Sequence, residues 1–265
     1  MQLFYRKMGE GFPLIIIHGL YGSSDNWLTI GKALSKYFTV YLIDQRNHGA
    51  SPHSDTFNYP AMVDDLREFI ETHQLKNVSL LGHSIGGKTA MLYSLTYPGE
   101  ISNLIVADIS PRSYAGKGGN TPQYELHKNI INAMINIDVS QMESRREVQK
   151  ELMKSIQNQN VTQFLLKNLY RDDNNNFSCK INLKALKNNL NYILEGITPE
   201  HYHTDNKIPA LFIKGENSDY IKDEDEPLIK ELFPYSQLVT ISDTGHWLHA
   251  EKPEDFIKTI KNFIF

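Results

Sequence analysis

The sequence predicts an α/β fold in which helices cross a mostly parallel sheet and one helical insertion interrupts it. Three observations support this prediction. Short apolar runs rich in β-branched residues recur along the 265 residues. Amphipathic stretches with i, i+3, i+4 spacing follow several of these runs. The alternation then stops between residues 112 and 205 and resumes afterwards.

The apolar runs are typical of buried parallel strands, because strands covered on both faces are apolar along their whole length. Helical spacing between these runs, and again near the carboxyl terminus, supplies the crossover helices and a last helix. The strands are expected at 14–17, 39–43, 78–81, 104–108, 210–213 and 238–241, and the helices at 60–72, 88–97 and 253–263.

The interruption predicts two parts, a core of residues 1–111 and 206–265 and a helical cap of residues 112–205. Helical spacing marks 121–137, 140–157 and 161–170, while the Asp- and Asn-rich segment 172–177 is typical of a loop. No buried strand is expected in the cap. An insertion near the carboxyl ends of the strands would cover the crevice where open α/β sheets bind ligands.

Composition limits the classes of partner. The formal charge of −4, from 27 basic against 31 acidic residues, provides no basic surplus for nucleic acid. No apolar window reaches the roughly 20 residues of a membrane span, and the amino-terminal apolar run is too short for a signal peptide. The single cysteine, Cys179, suits a reducing compartment. We therefore expect a cytoplasmic protein, monomeric by default, whose partner is a small molecule.

The strongest chemical signal is Gly82-His83-Ser84-Ile85-Gly86, which follows a predicted strand and precedes a predicted helix. This G-x-S-x-G pattern is a nucleophile elbow, a turn so tight that the flanking residues must be glycine. The turn projects a serine hydroxyl above the sheet, next to the positive end of the helix dipole. Ser84 is therefore the predicted nucleophile.

A serine hydroxyl needs a base within hydrogen-bond reach, and His246 is the predicted base. It lies between the last predicted strand and the last helix, where the histidine of a serine, acid, histidine order is expected. His249 is more consistent with packing or capping, and His18 and His83 with structural or pocket-lining roles. His201 and His203 have H-x-H spacing but lack the neighbouring ligands of a metal site, and none is predicted.

Two carboxylates are candidates for the acid that orients the histidine. The usual position, three residues after Gly215, holds Ser218, and Asp219 comes one residue late. Asp108 lies at the carboxyl end of a neighbouring strand, from which it could reach the imidazole Nδ1. We favour Asp108 and keep Asp219 as the alternative, with Ser218 adding a hydrogen bond.

Acyl transfer also needs backbone donors for a developing oxyanion, and the amides of Leu20 and Ile85 are the candidates. Leu20 follows the first core strand in His18-Gly19-Leu20-Tyr21-Gly22, and Ile85 follows the nucleophile. The charged segment from Asp44 to Ser51 has a different interpretation. A buried pair between Asp44 and Arg46 that fixes a loop is more common than a second catalytic site.

Five segments together resemble the YbfF-type esterases of the α/β-hydrolase superfamily: HGLYGSSDNW, DQRNHGAS, GHSIGGK, VADISP and GHWLHAEKP. The resemblance covers nearly the whole chain. It implies an eight-stranded, mostly parallel sheet with a helical cap, hydrolysis of short to medium acyl esters and acyl-CoA thioesters, and no cofactor. It also implies an acid at Asp108 beside a serine at Ser218. Asp219 departs from the family pattern and leaves a shared acid open.

The leading hypothesis is thus a serine carboxylesterase or acyl-CoA thioesterase that forms an acyl-enzyme. A carbon–carbon bond hydrolase with the same three residues stays open. So does a protein of this fold that binds a ligand with little turnover, although such a protein would be expected to have a broken triad. Dehalogenases and epoxide hydrolases are excluded, because they require an aspartate where Ser84 stands.

Overall fold

A computed structural model describes residues 1–116, 118–202 and 207–265 of the chain. Seven strands form one sheet in this part of the chain, and two more form a separate hairpin. The sheet strands are β1 (Tyr5–Met8), β2 (Phe12–Ile17), β3 (Phe38–Ile43), β4 (Val78–His83), β5 (Ile101–Ala107), β8 (Ala210–Gly215) and β9 (Ser236–Ile241), and the hairpin strands are β6 (Leu169–Arg171) and β7 (Phe177–Cys179).

The order across the sheet is β1-β3-β2-β4-β5-β8-β9. Only β1 runs antiparallel to its neighbour, and every other pair is parallel. The carboxyl ends of β2, β4, β5, β8 and β9 therefore open toward the same edge. The segments that follow these strands carry, in order, Leu20, Ser84, Asp108, Ser218 and His246.

The expected count of eight strands is not met: within the described ranges the sheet has seven. The six apolar runs of the sequence account for six strands, and β1 is the seventh. Its sequence, Tyr-Arg-Lys-Met, has no buried residue, since an edge strand pairs on one side only. No other described segment pairs with this sheet, so the mostly parallel architecture holds while the count does not.

Helices cover both faces of the sheet. They are α1 (Leu28–Leu34), α2 (Tyr59–Thr72), α3 (Ile85–Thr96), α4 (Pro122–Ile135), α5 (Arg145–Ile156), α6 (Gln159–Leu166), α7 (Leu183–Asn188), α8 (Leu190–Ile193), α9 (Glu226–Leu232), α10 (Leu248–Glu251) and α11 (Pro253–Ile264). One apolar cluster joins the sheet to α2, α3 and the insertion, and a second joins it to α1 and α11. No described helix is long and apolar enough to cross a bilayer.

The insertion contains α4 to α8 and also the hairpin, which no pattern in the sequence predicts. The predicted helix over 161–170 ends at Leu166, and 169–171 is a strand. Asp172 closes the hairpin, since its Oδ1 accepts the amides of Asn174 and Asn176 at 3.0 and 2.8 Å. Strands of three residues are too short to show an alternating pattern. The predicted boundary between cap and core, at 205 and 206, lies outside the described residues.

The two segments that connect the insertion to the core lie side by side. The Ile197 amide donates to the Pro111 carbonyl, and the Tyr114 amide to the Leu194 carbonyl, both at 2.8 Å. Lys88 of α3 is buried beneath them, and its Nζ donates to the carbonyl of Arg112 at 2.8 Å and to that of Glu195. The helix that follows the nucleophile therefore holds both connections.

The expected pair between Asp44 and Arg46 is not formed. Arg46 instead donates from Nε and Nη2 to Asp65 of α2, at 2.6 and 2.8 Å. The Asp44 carboxylate is occupied by the amides of Ser24 and Ala50, at 2.6 and 2.8 Å. Both carboxylates are buried and serve structure, so the structural interpretation of this segment holds with different partners.

Candidate active site

Ser84 occupies the turn between β4 and α3 in a backbone conformation that few residues adopt. Its φ of 53° and ψ of −124° lie outside the ordinary regions, which costs on the order of 1–3 kcal/mol. A Cβ at Gly86 would lie 2.4 and 2.5 Å from the carbonyl oxygens of Ile17 and His18. Only glycine fits there, so β2 and α3 approach closely and the elbow is fixed against the sheet.

His246 lies in the loop between β9 and α10, and its Nδ1 is 2.8 Å from Oδ2 of Asp108. A carboxylate accepts here, so Nδ1 carries the proton and the lone pair of the neutral ring is on Nε2. The His246 side chain is 23% exposed, whereas Asp108 is completely buried. The ring can thus meet a ligand while its carboxylate partner stays out of water.

Asp108 follows β5 directly and also adopts a positive φ, of 50°. Its Oδ1 accepts the amide of Gly215 at 3.0 Å, and its Oδ2 accepts the hydroxyl of Ser218 as well as the histidine. Donors to a buried carboxylate stabilise its charged form, because they replace the lost water. Asp108 is therefore held as an acceptor for His246.

The structure separates the two candidate acids. Asp219 is exposed, and its carbonyl accepts from Arg112 Nη2 at 2.8 Å, whereas Asp108 contacts the imidazole directly. Ser218 lies between β8 and α9, and its loop is joined to the histidine loop because the Asn217 amide donates to the Thr244 carbonyl at 2.8 Å. Of the predicted residues, Ser218 and His246 meet at Asp108, and Asp219 does not join them.

The loop after β2 brings Leu20 close to the elbow. A Cβ at Gly19 would lie 2.7 Å from Nδ1 of His83 and 3.1 Å from Cβ of Ser84, so the loop backbone packs directly on the nucleophile. The loop is held by the Tyr21 amide, which donates to Nε2 of His48 at 3.2 Å. Ile85 is the first residue of α3, so its amide has no intrahelical acceptor.

Ser84, His246 and Leu20 all line one cavity of about 220 Å³. Its walls come from the loops at the carboxyl ends of the strands and from α4 and α6 of the insertion, and apolar and aromatic side chains dominate them. The other lining residues are His18, Gly19, Tyr21, Gly22, Asn26, Trp27, His83, Leu126, His127, Ile130, Val161, Phe164, Tyr220, Trp247 and His249.

Burial keeps the other histidines around this cavity neutral. It lowers the pKa of His127 to about 4 and of His249 to about 3, and it lowers the pKa of His18 and His83 as well. His83 Nε2 lies 2.8 Å from the His246 carbonyl, and His249 stacks on Trp27 with ring centroids 4.1 Å apart. His18, His83 and His249 therefore line and support the cavity, as the sequence indicated.

Sequence reasoning missed Tyr220, whose ring stacks on His246, and His127, whose Nε2 is 3.2 Å from the Tyr220 hydroxyl. No motif marks either residue. Of the pair with H-x-H spacing, His201 is exposed and His203 lies outside the described residues. Across the described ranges no group of three or more histidine, cysteine or acidic residues is arranged to hold a metal ion.

A known protein family, several known proteins and a solved structure are similar to this chain. A family model described as the alpha/beta hydrolase fold matches residues 13–253. The chain is 37% identical to the sn-1-specific diacylglycerol lipase ABHD11 of Danio rerio, over 97% of this chain and 79% of that protein. It is 30% identical to esterase YbfF of Escherichia coli, over 95% and 92%. A solved marine microorganism esterase is 48% identical, with a TM-score of 0.95 and 99% of both chains covered.

The chain belongs to the α/β-hydrolase family. Within this superfamily it is an esterase or lipase, a hydrolase of the serine type.

Proposed function

We propose that the protein is a serine carboxylesterase that hydrolyses short to medium acyl esters and acyl-CoA thioesters through an acyl-enzyme. One observation carries the proposal: Nδ1 of His246 is bound to the buried carboxylate of Asp108 in the wall of the cavity that Ser84 also lines. The hydrogen bond fixes the tautomer whose Nε2 can take a proton. The mechanism needs no cofactor.

The first half of the proposed reaction forms the acyl-enzyme. Ser84 Oγ attacks the acyl carbon as its proton passes to Nε2 of His246, and the oxyanion accepts from the amides of Leu20 and Ile85. The bond to the leaving group then breaks, and the alcohol or thiol departs with the proton from His246. In the second half a water gives its proton to His246, its oxygen attacks the acyl carbon, and Ser84 is reprotonated as the carboxylic acid leaves.

Asp108 and Ser218 act on the histidine in this scheme. The Asp108 charge stabilises the imidazolium that forms in each half-reaction, and it holds the ring in one orientation. The Ser218 hydroxyl and the Gly215 amide also donate to the carboxylate, which holds Asp108 in position for the histidine.

The cavity supports an acyl substrate. Leu126 and Ile130 of α4 and Val161 and Phe164 of α6 supply apolar side chains to its lining, which suits an alkyl chain. These helices belong to residues 112–205, which we propose act as a cap over the core. The proposal also takes the enzyme to be a monomer that binds neither nucleic acid nor membrane. A glycerolipid ester is a further candidate, because the ABHD11 relative is named a diacylglycerol lipase.

Two measurements test this function. Folded wild-type protein and a Ser84→Ala variant are incubated with a fluorophosphonate, and the adduct is mapped by peptide mass spectrometry. A panel of p-nitrophenyl esters from acetate to palmitate, of acyl-CoAs and of one diacylglycerol is then hydrolysed. We expect an adduct on Ser84 alone and the highest kcat/KM for short to medium acyl groups. Absence of the adduct from folded wild-type protein would instead indicate a binding protein.

A further inference from the structure

An aromatic ring that no motif marks covers the proposed base. The Tyr220 ring lies nearly parallel to His246, with centroids 3.9 Å apart and an interplanar angle of 20°. Its backbone is fixed at both ends. The Tyr220 amide donates to Ser218 Oγ at 3.3 Å, and the Tyr220 carbonyl accepts the hydroxyl of Tyr114. The Tyr220 backbone is therefore bonded to the same serine that donates to Asp108.

The hydroxyl of Tyr220 is held by the insertion. His127 of α4 places Nε2 at 3.2 Å from this hydroxyl and Nδ1 at 3.2 Å from the hydroxyl of Tyr21. Tyr21 follows Leu20, and its hydroxyl also lies 3.4 Å from the His127 carbonyl. One bonded arrangement thus runs from the loop of the proposed oxyanion amide, through α4, to the ring on His246.

The protons in this arrangement follow from the donors available. Burial lowers the pKa of His127 to about 4, so above that pH the ring is neutral and has one donor and one acceptor. The Tyr21 hydroxyl donates to the His127 carbonyl and accepts from Nδ1, which leaves Nε2 to accept from Tyr220. Burial, and secondarily the charge of Asp108, raises the pKa of Tyr220, which keeps its hydroxyl a neutral donor.

We propose that Tyr220 is a positioning residue for the His246 base and that His127 makes its position depend on α4; this inference rests on the proposed function. When His246 takes the proton from Ser84 the ring becomes a cation, and the face of an adjacent aromatic ring attracts a cation. The stack also restricts rotation of the imidazole about its bond to the backbone. The packing of α4 thereby affects the position of the His246 ring through the side chains of His127 and Tyr220.

Other titratable groups face His246 from each element around it. Asp108 approaches from the end of β5, His83 from the end of β4, and His249 from α10. His127 faces it from α4 beyond Tyr220. Burial lowers the pKa of the three histidines and keeps them neutral at neutral pH, so none of them places a positive charge beside His246. The Tyr220 ring therefore supplies the aromatic face that would contact the imidazolium cation.

Replacement of the ring tests the stack. Tyr220→Leu removes the aromatic face, whereas Tyr220→Phe keeps the face and loses only the hydroxyl. With p-nitrophenyl butyrate we expect Tyr220→Leu to lower kcat by about 10- to 30-fold with little change in KM. The acid limb of its kcat/KM profile should move to lower pH, because the protonated ring is less stabilised. Tyr220→Phe should lose about threefold. Tyr235→Leu, at a tyrosine that is 60% exposed, is the matched control.

The coupling to α4 is tested with His127→Leu alone and together with Tyr220→Phe. If the hydrogen bond transmits the effect, each single variant loses about threefold in kcat and the double variant loses no more. Losses that multiply in the double variant would overturn the coupling. Thermal unfolding of each variant is measured alongside, so that a folding defect is recognised.

An observation that needs no turnover separates this inference from the proposed function. The ring signals of His246 are followed by NMR against pH in wild type and Tyr220→Leu, with His246→Gln as the assignment control. We expect the midpoint to move by up to about one pH unit toward acid in Tyr220→Leu. Unchanged midpoints and unchanged kcat in a folded Tyr220→Leu protein overturn the inference. If the midpoint moves in a protein that has no esterase activity, the inference about Tyr220 stands and the proposed esterase function is wrong.

Discussion

His246 and Asp108 meet through a 2.8 Å hydrogen bond, although the two residues come from loops that follow β9 and β5, with β8 between these strands. The bond crosses the end of β8 because both residues lie beyond the carboxyl ends of their strands, and the Gly215 amide of β8 donates to the same carboxylate. The sheet order therefore determines which acid is paired with the histidine.

Replacement of Asp108 tests that pairing. Asp108→Asn should lower kcat for p-nitrophenyl butyrate by about 10⁴-fold, because an amide in this position favours the wrong imidazole tautomer. Asp219→Asn should stay within about twofold of wild type, since the Asp219 carboxylate is exposed and surface substitutions have small effects. The assignment is wrong if only the Asp219 variant is slow.

Ser218 contributes through Asp108 in this account. Ser218→Ala removes one donor to the buried carboxylate, and we expect about a tenfold loss in kcat with KM nearly unchanged. Ser140→Ala is the control, because Ser140 donates to Asp138 at 2.6 Å in an exposed pair. Equal kcat for the two variants would mean that the Ser218 hydroxyl does nothing for the base.

The close approach at Gly86 predicts a stability effect. Gly86→Ala must push apart the backbones of β2 and α3, and we expect a loss of about 3 kcal/mol in the free energy of unfolding. Gly99→Ala separates clash from conformational strain, because Gly99 has a φ of 87° and no atom within 4 Å of the added carbon. It should lose only about 1 kcal/mol. Urea unfolding of both variants gives the comparison.

Acid should destabilise the fold through its buried histidines. Burial lowers the pKa of His48 and His249 to about 3 and of His127 to about 4, against about 6.5 in an unfolded chain. Above about pH 6.5 these three histidines are neutral in both the folded and the unfolded state, so they take nothing from the free energy of unfolding. Below it the unfolded chain binds protons that the folded protein does not, so each histidine removes up to about 1.4 kcal/mol per pH unit down to its folded pKa.

Urea unfolding between pH 7.5 and 5 measures this loss. His127→Gln should flatten the dependence by up to about one proton, whereas His201→Gln should leave it unchanged because His201 is exposed. A free energy of unfolding that does not fall between pH 6.5 and 5 in wild type would contradict the account of neutral buried histidines.

Much of the fold could be predicted because buried parallel strands leave continuous apolar runs. The run at 210–213 predicts the first part of β8 (Ala210–Gly215), and the helix over 60–72 is found at Tyr59–Thr72. Elements without such a pattern were missed. β1 has no buried residue, and the strands of the β6–β7 hairpin have three residues each, so neither shows a periodicity.

The site could be predicted only where the chain itself determines position. The elbow fixes Ser84 locally. Asp108 could be placed near the imidazole because neighbouring parallel strands end side by side at one edge of the sheet. Tyr220 and His127 gave no signal, because their contact joins residues 93 positions apart and depends on how α4 packs over the core. The pairing of Arg46 with Asp65 was missed for the same reason: α2 supplies a carboxylate that the local motif does not contain.

The central claim, that Ser84 carries the acyl group, is tested most directly by trapping the intermediate. Wild-type protein is mixed briefly with p-nitrophenyl acetate, quenched in acid and digested, and the acetylated peptide is identified by mass spectrometry. The account predicts one acetyl group on Ser84, none in Ser84→Ala, and a matching burst of p-nitrophenol. An acetyl group on another residue, or full turnover in Ser84→Ala, would contradict it.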